Sequence, residues 1–119
     1  MDKTLFETNR ILQLTFNFSL SIITFCELLD SNKKYIVSKQ LFRSATSIGA
    51  NAMEAQNAES KPDFIHKMKL AAKEADESQY WLLLYDASVS YPDCKELLDH
   101  LEEIQKVLNK IITSAKNNN

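Results

Sequence analysis

Tight turns draw heavily on glycine and proline, and this chain of 119 residues has one glycine and two prolines. A β-sandwich or barrel needs many more turns than that composition supports. Long helices with few connections are what remain. The lone glycine, Gly49, lies inside the helix-like stretch Gln40 to Glu54, where Ser44, Ala45, Ser47, Ala50 and Ala52 leave few bulky side chains. Glycine inside a helix costs about 1 kcal/mol relative to alanine. Its presence there predicts a neighbouring element pressed against the segment.

Four helical segments are expected, over about 4–29, 38–57, 61–88 and 92–115, forming one domain over residues 1–119. The last is the clearest: Leu97, Leu101, Ile104, Leu108 and Ile111 recur at steps of four and three, an apolar stripe on one face. Ser90-Tyr91-Pro92-Asp93 reads as its start, with Ser90 capping. Ser60-Lys61-Pro62-Asp63 reads as the same device one helix earlier. The third segment has an expected core face of Phe64/Ile65, Met68, Ala71/Ala72, Ala75, Gln79 and Leu82/Leu83. It ends in Tyr80-Trp81-Leu82-Leu83-Leu84-Tyr85, apolar on nearly every side, which predicts a contact beyond the bundle's own core. For the second segment Ser38 is the expected N-cap. Leu41, Ala45, Ile48, Ala52 and Ala55 make an apolar face. Gln40, Ser44, Ser47, Asn51 and Glu54 make a polar one, read as a structural seam with Arg43 or a lysine balancing Glu54.

The first segment fits two periods. Leu12, Leu14, Phe16, Phe18, Leu20 and Ile22 alternate with polar residues, as in a half-buried strand. Ile11, Leu14, Phe18, Ile22, Phe25 and Leu29 also form a helical stripe, with Leu12, Phe16, Leu20 and Ile23 as a second. Length decides for a helix, because strands rarely exceed about ten residues and a lone strand has no partner here. The second stripe predicts contact with another subunit. Gln13, Asn17 and Glu27 interrupt the apolar run and favour a buried helix over a membrane span.

Charge is unevenly placed. Residues 31–73 carry eight Lys/Arg against three acids, and residues 74–103 carry nine acids against Lys95 alone. Lys33, Lys34, Lys39 and Arg43 are the candidate contacts for nucleic acid. No catalytic constellation stands out. A di-iron carboxylate bundle needs Glu-x-x-His on two helices, and neither His66 nor His100 has Glu three residues before it. No metal or cofactor is expected. Cys26 and Cys94 are far apart and read as reduced thiols of a cytoplasmic protein, a disulfide being the less favoured alternative, and an N-terminus with Asp2 and Glu7 ahead of the apolar run does not read as a secretory signal.

Gln40 to Glu54, with Arg43, Ser44, Ser47, Ile48, Asn51 and Glu54, resembles the core motif of the four-helix-bundle proteins named after the 23S rRNA intervening sequence. Ser60, Asp63-Phe64-Ile65, Ala72, Glu74-Ala75, Glu77 and Tyr80-Trp81-Leu82 continue the likeness in order and spacing. Gly49 stands where proline is frequent in such proteins, and Gln56 follows Ala55 in place of a glycine-rich turn. The resemblance implies an all-α, antiparallel up-down-up-down four-helix bundle that assembles as a homopentamer around a channel. It also implies kinship with the accessory proteins of diversity-generating retroelements, where a basic surface engages a reverse transcriptase and nucleic acid.

The expectation is therefore a non-enzymatic homo-oligomeric scaffold or adaptor, self being the first partner. The oligomer interface candidates are Phe16, Leu20, Tyr80, Trp81 and Tyr85. The alternative is a nucleic-acid or ribonucleoprotein accessory protein. No membrane partner is expected.

Overall fold

A computed structural model describes residues 3–118. A short helix, α1 (Lys3–Thr8), precedes four long ones: α2 (Arg10–Ser31), α3 (Tyr35–Ala55), α4 (Lys61–Ala87) and α5 (Lys95–Asn117). Among the described residues there is no strand. The stripe on α5 behaves as its spacing requires: Leu97, Leu101, Ile104 and Leu108 are buried and Ile111 is half-buried. The alternation on the first segment resolves as a helix. Ile11, Leu12, Thr15, Phe18, Ile22, Phe25, Cys26 and Leu29 are buried along α2, while Phe16, Leu20 and Ile23 stay on its outer side. By length and composition α2 could cross a membrane; in this fold it packs against α3 and α5.

Cross-helix partners show that neighbouring helices run in opposite directions. Thr15 meets Gly49 and Cys26 meets Ser38 across α2/α3. Val37 pairs with Tyr85, Ser44 with Ser78 and Glu54 with Lys67 across α3/α4. Leu82 pairs with Cys94 and Gln79 with Gln105 across α4/α5. Arg10 reaches Glu103 at 3.0 Å and ties α2 to α5, closing an up-down-up-down bundle in which α2/α4 and α3/α5 are the diagonals. The buried stripes of α3 and α4 are rich in small residues, Ser44, Ala45, Ala52 and Ala55 on one helix and Ala71, Ala75 and Ser78 on the other. Small side chains let helix backbones approach closely, and the α3/α4 contact is the most extensive of the bundle.

Three helix starts differ from their sequence signals. Asn9 breaks the first segment: its side chain accepts from Leu12 N and caps α2. Helix α3 begins at Tyr35, not at Ser38, and Lys34 at its N-cap makes no side-chain cap. Its first turn is held from outside instead. Ser38 Oγ donates to the Cys26 carbonyl at 3.2 Å and Tyr85 Oη donates to the Val37 carbonyl at 2.9 Å. Helix α5 begins at Lys95, so Ser90 caps nothing; Asp93 Oδ1 accepts from Lys95 N at 3.1 Å. Ser88 to Asp93 is a loop pinned by Tyr91, which stacks on Tyr85 with ring centroids 5.0 Å apart. The Ser60 start behaves as expected, with Ser60 Oγ accepting from Asp63 N.

Two backbone positions are special. Lys33 has φ 63° and closes α2: Lys34 N donates to the Leu29 carbonyl and Lys33 N to the Asp30 carbonyl. That is a Schellman ending, with lysine where glycine is usual. At Gly49, a Cβ atom would lie 3.2 Å from both Cβ and Oγ1 of Thr15. At the lone glycine, α2 packs directly on the α3 backbone through Thr15.

Candidate functional site

The residues of the resemblance motif converge on the α3/α4 seam. Ser44, fully buried, lies 2.9 Å from Ser78 Oγ. Asn51 Nδ2 donates to the Ser47 carbonyl at 2.9 Å, and Ser47 Oγ donates to the Arg43 carbonyl at 2.6 Å. Glu54 accepts from Lys67 Nζ at 3.1 Å, while Gln40 is exposed. Arg43 does not serve Glu54. It spans to α4, with Nη1 2.9 Å from Glu74 Oε2 and Nη2 2.5 Å from Glu77 Oε2. Trp81 Nε1 donates to that same Glu77 oxygen at 3.0 Å. The Trp81 donor first and Arg43 second hold the Glu77 carboxyl below its ordinary value. Among the described residues no buried side-chain N or O lacks a hydrogen-bond partner. Three links of the seam cross from α3 to α4, Ser44 to Ser78, Arg43 to Glu74 and Glu77, and Glu54 to Lys67, whereas Ser47 and Asn51 bond within α3.

The basic candidates do not form one free patch. Arg43 is neutralised by two carboxylates. Lys34 Nζ sits 4.6 Å above the Tyr91 ring, and Lys33 occupies the tight turn. Lys33 and Lys39 are exposed.

The two cysteines are buried and free. Burial pushes both thiols up, Cys94 to about 11, which makes them poor nucleophiles. Among the described residues, no three His, Cys, Asp or Glu side chains stand where they could hold a metal.

What the bundle does display is apolar surface. Of the sequence candidates, Phe16, Leu20 and Tyr80 are each at least 50% exposed. Trp81 is half-buried, edge-on to Tyr80 at 5.5 Å. Tyr85 is a correction: it is buried, and its hydroxyl serves Val37. Leu83, expected in the core, is 52% exposed because the buried stripe of α4 runs through Met68, Ala71, Ala75, Ser78, Leu82 and Tyr85. Ile23, from the second stripe of the first segment, and Leu84, from the apolar end of the third, are exposed as well; Phe42 and Met53 are further exposed apolar residues that the sequence reading did not single out. The signal was present in α4, where Tyr80, Leu83 and Leu84 share the face opposite the buried stripe. In α3 it was a bulky Phe42 outside both recognised faces. A groove of about 150 Å³ runs between α2 and α3, floored by Gly49 and lined by Leu12, Thr15, Phe16, Ala50 and Met53.

The sequence profile of the 23S rRNA-intervening sequence protein family matches residues 7–110. A crystal structure of a protein of unknown function from the S23 ribosomal protein family of Bacteroides thetaiotaomicron is similar in fold, with a TM-score of 0.82 and 36% sequence identity. The match covers 86% of this chain and 97% of that one. No curated protein matches the chain.

Proposed function

Because the chain belongs to the 23S rRNA-intervening sequence protein family, we propose that it works as a non-enzymatic, homo-oligomeric helical scaffold of the cytoplasm, assembled as a pentameric ring. The observation that carries this reading is the apolar surface outside the core. Leu20, Ile23, Phe42, Tyr80, Leu83 and Leu84 are each more than 40% exposed. Contiguous apolar patches beyond a few hundred Å² are uncommon on monomers and mark interaction sites. The polar seam supports the same role: it locks α3 to α4 and so holds the outer faces in fixed relation. Multi-angle light scattering at micromolar concentration tests it. A mass several times the 13.6 kDa protomer is expected, and a monomer would refute it.

A role in binding RNA or DNA through Lys33, Lys34, Lys39 and Arg43 is the second reading. The two exposed lysines, Lys33 and Lys39, favour it; the Glu74 and Glu77 partners of Arg43 weigh against it. Phosphate contacts of this kind give affinity that falls steeply with salt. Absence of binding to single-stranded RNA or duplex DNA at low salt would remove it.

A further inference from the structure

We propose that the cleft between α2 and α5 binds a small organic amine, its ammonium held by Asp93 and Glu96 and its apolar body laid over Phe25 and Leu97. The site goes beyond the scaffold reading and does not depend on how many copies assemble.

The cleft has a structural origin. The α2/α5 contact is the loosest of the four between neighbouring long helices. Arg10 and Glu103 tie the pair near the start of α2. Toward the other end of the bundle α5 begins only at Lys95, after the Ser88–Asp93 loop. There α2 and α5 enclose a cleft of about 480 Å³. Clefts that hold small ligands run from about 300 to 1,000 Å³ and join an apolar wall to a few polar groups. From Ser21 to Leu28 the α2 side spans about 10 Å at 1.5 Å per residue, the length of a ring carrying a short amine chain.

Its polarity is graded from end to end. Phe25 and Leu97, each 7% exposed, form the floor, and Leu28 is a wall. Because α2 and α5 run in opposite directions, Leu28 stands level with Asp93 and Glu96, and Ser21 with His100. One end is anionic; the other offers a hydroxyl and an imidazole. Among the described residues no lysine or arginine lines the cleft.

The rim is free to receive a cation. Among the described residues neither the Glu96 carboxylate nor the His100 ring has a side-chain partner. Asp93 accepts from Lys95 N through Oδ1 alone. Residues 21–30 and 93–100 together hold five acids, Glu27, Asp30, Asp93, Glu96 and Asp99, against Lys95. A cleft of one sign with low-dielectric walls focuses its field and concentrates counter-ions. The α5 N-terminus sets only about half a positive charge against them. A carboxylate or phosphate ligand would meet like charge, and the acids and His100 are not placed to hold a metal. An ammonium on an apolar body satisfies rim and floor together.

Other cavities lack this combination. The α2/α3 groove is about 150 Å³ and has no charged lining residue. Between α4 and α5, Gln105 already bonds Asp76, and Glu102 pairs with Lys106.

Saturation-transfer NMR and calorimetry with phenethylamine, on the wild-type protein as it assembles, test the site. Saturable binding at millimolar concentration is expected. Phenethyl alcohol should bind about three- to fivefold more weakly, the upper part of the range for an exposed ion pair, and 3-phenylpropionate should not bind. Glu96→Gln should weaken phenethylamine by the same factor and leave phenethyl alcohol unchanged. Thr24→Phe fills the cleft from its exposed α2 side and should abolish binding of both. Circular dichroism checks that each variant keeps its helicity; if Thr24→Phe does not, Ser21→Phe replaces it on the same wall. Absence of saturable binding, equal affinity for amine and carboxylate, or an amine affinity unmoved by both variants would overturn the assignment. Preference for Nα-acetyl-lysine methylamide over phenethylamine would also overturn it, giving the cleft to a lysine of a partner protein. None of these outcomes bears on the scaffold reading, which light scattering decides.

Discussion

Ser44 and Ser78 place their hydroxyl oxygens 2.9 Å apart across the α3/α4 seam, both fully buried. Ser78 donates to Ser44, which can donate onward to the Leu41 carbonyl at 3.3 Å; the Glu74 carbonyl, 2.8 Å from Ser78 Oγ, is a competing acceptor. A hydroxyl deprived of its partner in such a place costs about 1–3 kcal/mol. Ser78→Ala should therefore lower the unfolding free energy by about 1 kcal/mol, and Ser44→Ala by a similar amount. The double variant should cost less than both together, since the second change removes a group that has already lost its cross-helix partner. Urea titration of all four proteins measures the coupling, and strict additivity would mean that the two hydroxyls act independently.

Gly49 is the second constraint on packing. Its missing Cβ leaves room for Thr15, whose Oγ1 is anchored to the Ile11 carbonyl at 2.7 Å. Gly49→Leu should destabilise by about 1–3 kcal/mol, the usual range for overpacking. Gly49→Ala should be closer to neutral, because a gain in helix propensity of about 1 kcal/mol offsets crowding at 3.2 Å. Thermal unfolding separates the two. Equal stability of Gly49→Leu and wild type would show that α2 yields at this point.

Lys33 offers a change in the opposite direction. An L-residue in the left-handed region costs about 1–2 kcal/mol, and Lys33 holds φ 63° to end α2. Lys33→Gly should stabilise the fold by about 0.5–1 kcal/mol, the remainder being lost to the greater freedom of glycine in the unfolded chain. Chemical denaturation reads this directly. A loss of stability would mean that the lysine side chain contributes more than its backbone costs.

Glu77 carries a pH signature. Its folded-state pKa is lowered from an ordinary 4.5, first by the Trp81 donor and then by Arg43. A lowered folded value stabilises the native state above the unfolded value, and that contribution is lost as pH falls through the folded one. Stability should thus decline as the solution is acidified below 4.5. In a carboxyl NMR titration Trp81→Phe should move Glu77 toward its ordinary value, and Arg43→Ala should do so less. Arg43 is half exposed, so its removal should cost at most about 1 kcal/mol. An unmoved Glu77 in Trp81→Phe would remove the indole as the main cause.

Much of this architecture is legible in the residues. The Leu97–Leu108 stripe, the Ser60–Asp63 start and the small residues around Gly49 each act through local geometry, so spacing alone reveals them. What local pattern misses is set across helices. Ser38 looks like a cap but spends its hydroxyl on Cys26, because α3 begins a turn earlier under the hold of Tyr85. Ser78 is as buried as any leucine, yet serine gives no apolar signal, so the stripe of α4 reads as passing through Gln79. Arg43 and Glu54 lie on similar sides of α3, but eleven residues at about 1.5 Å rise each put them too far apart to pair; Arg43 reaches Glu74 and Glu77 because α4 lies within its span. The exposed apolar faces were half legible: Leu20 and Tyr80 fall outside their helix's core stripe, but Tyr85 reads as equally free until the Ser88–Asp93 loop and α3 cover it.

Native mass spectrometry of the wild-type protein at micromolar concentration goes most directly to the proposed ring, because it counts protomers. A closed ring predicts one dominant species holding five copies of the 13.6 kDa chain, with no open-ended ladder above it. A spectrum of monomer alone would contradict self-assembly. A dimer as the terminal species would contradict the pentameric ring.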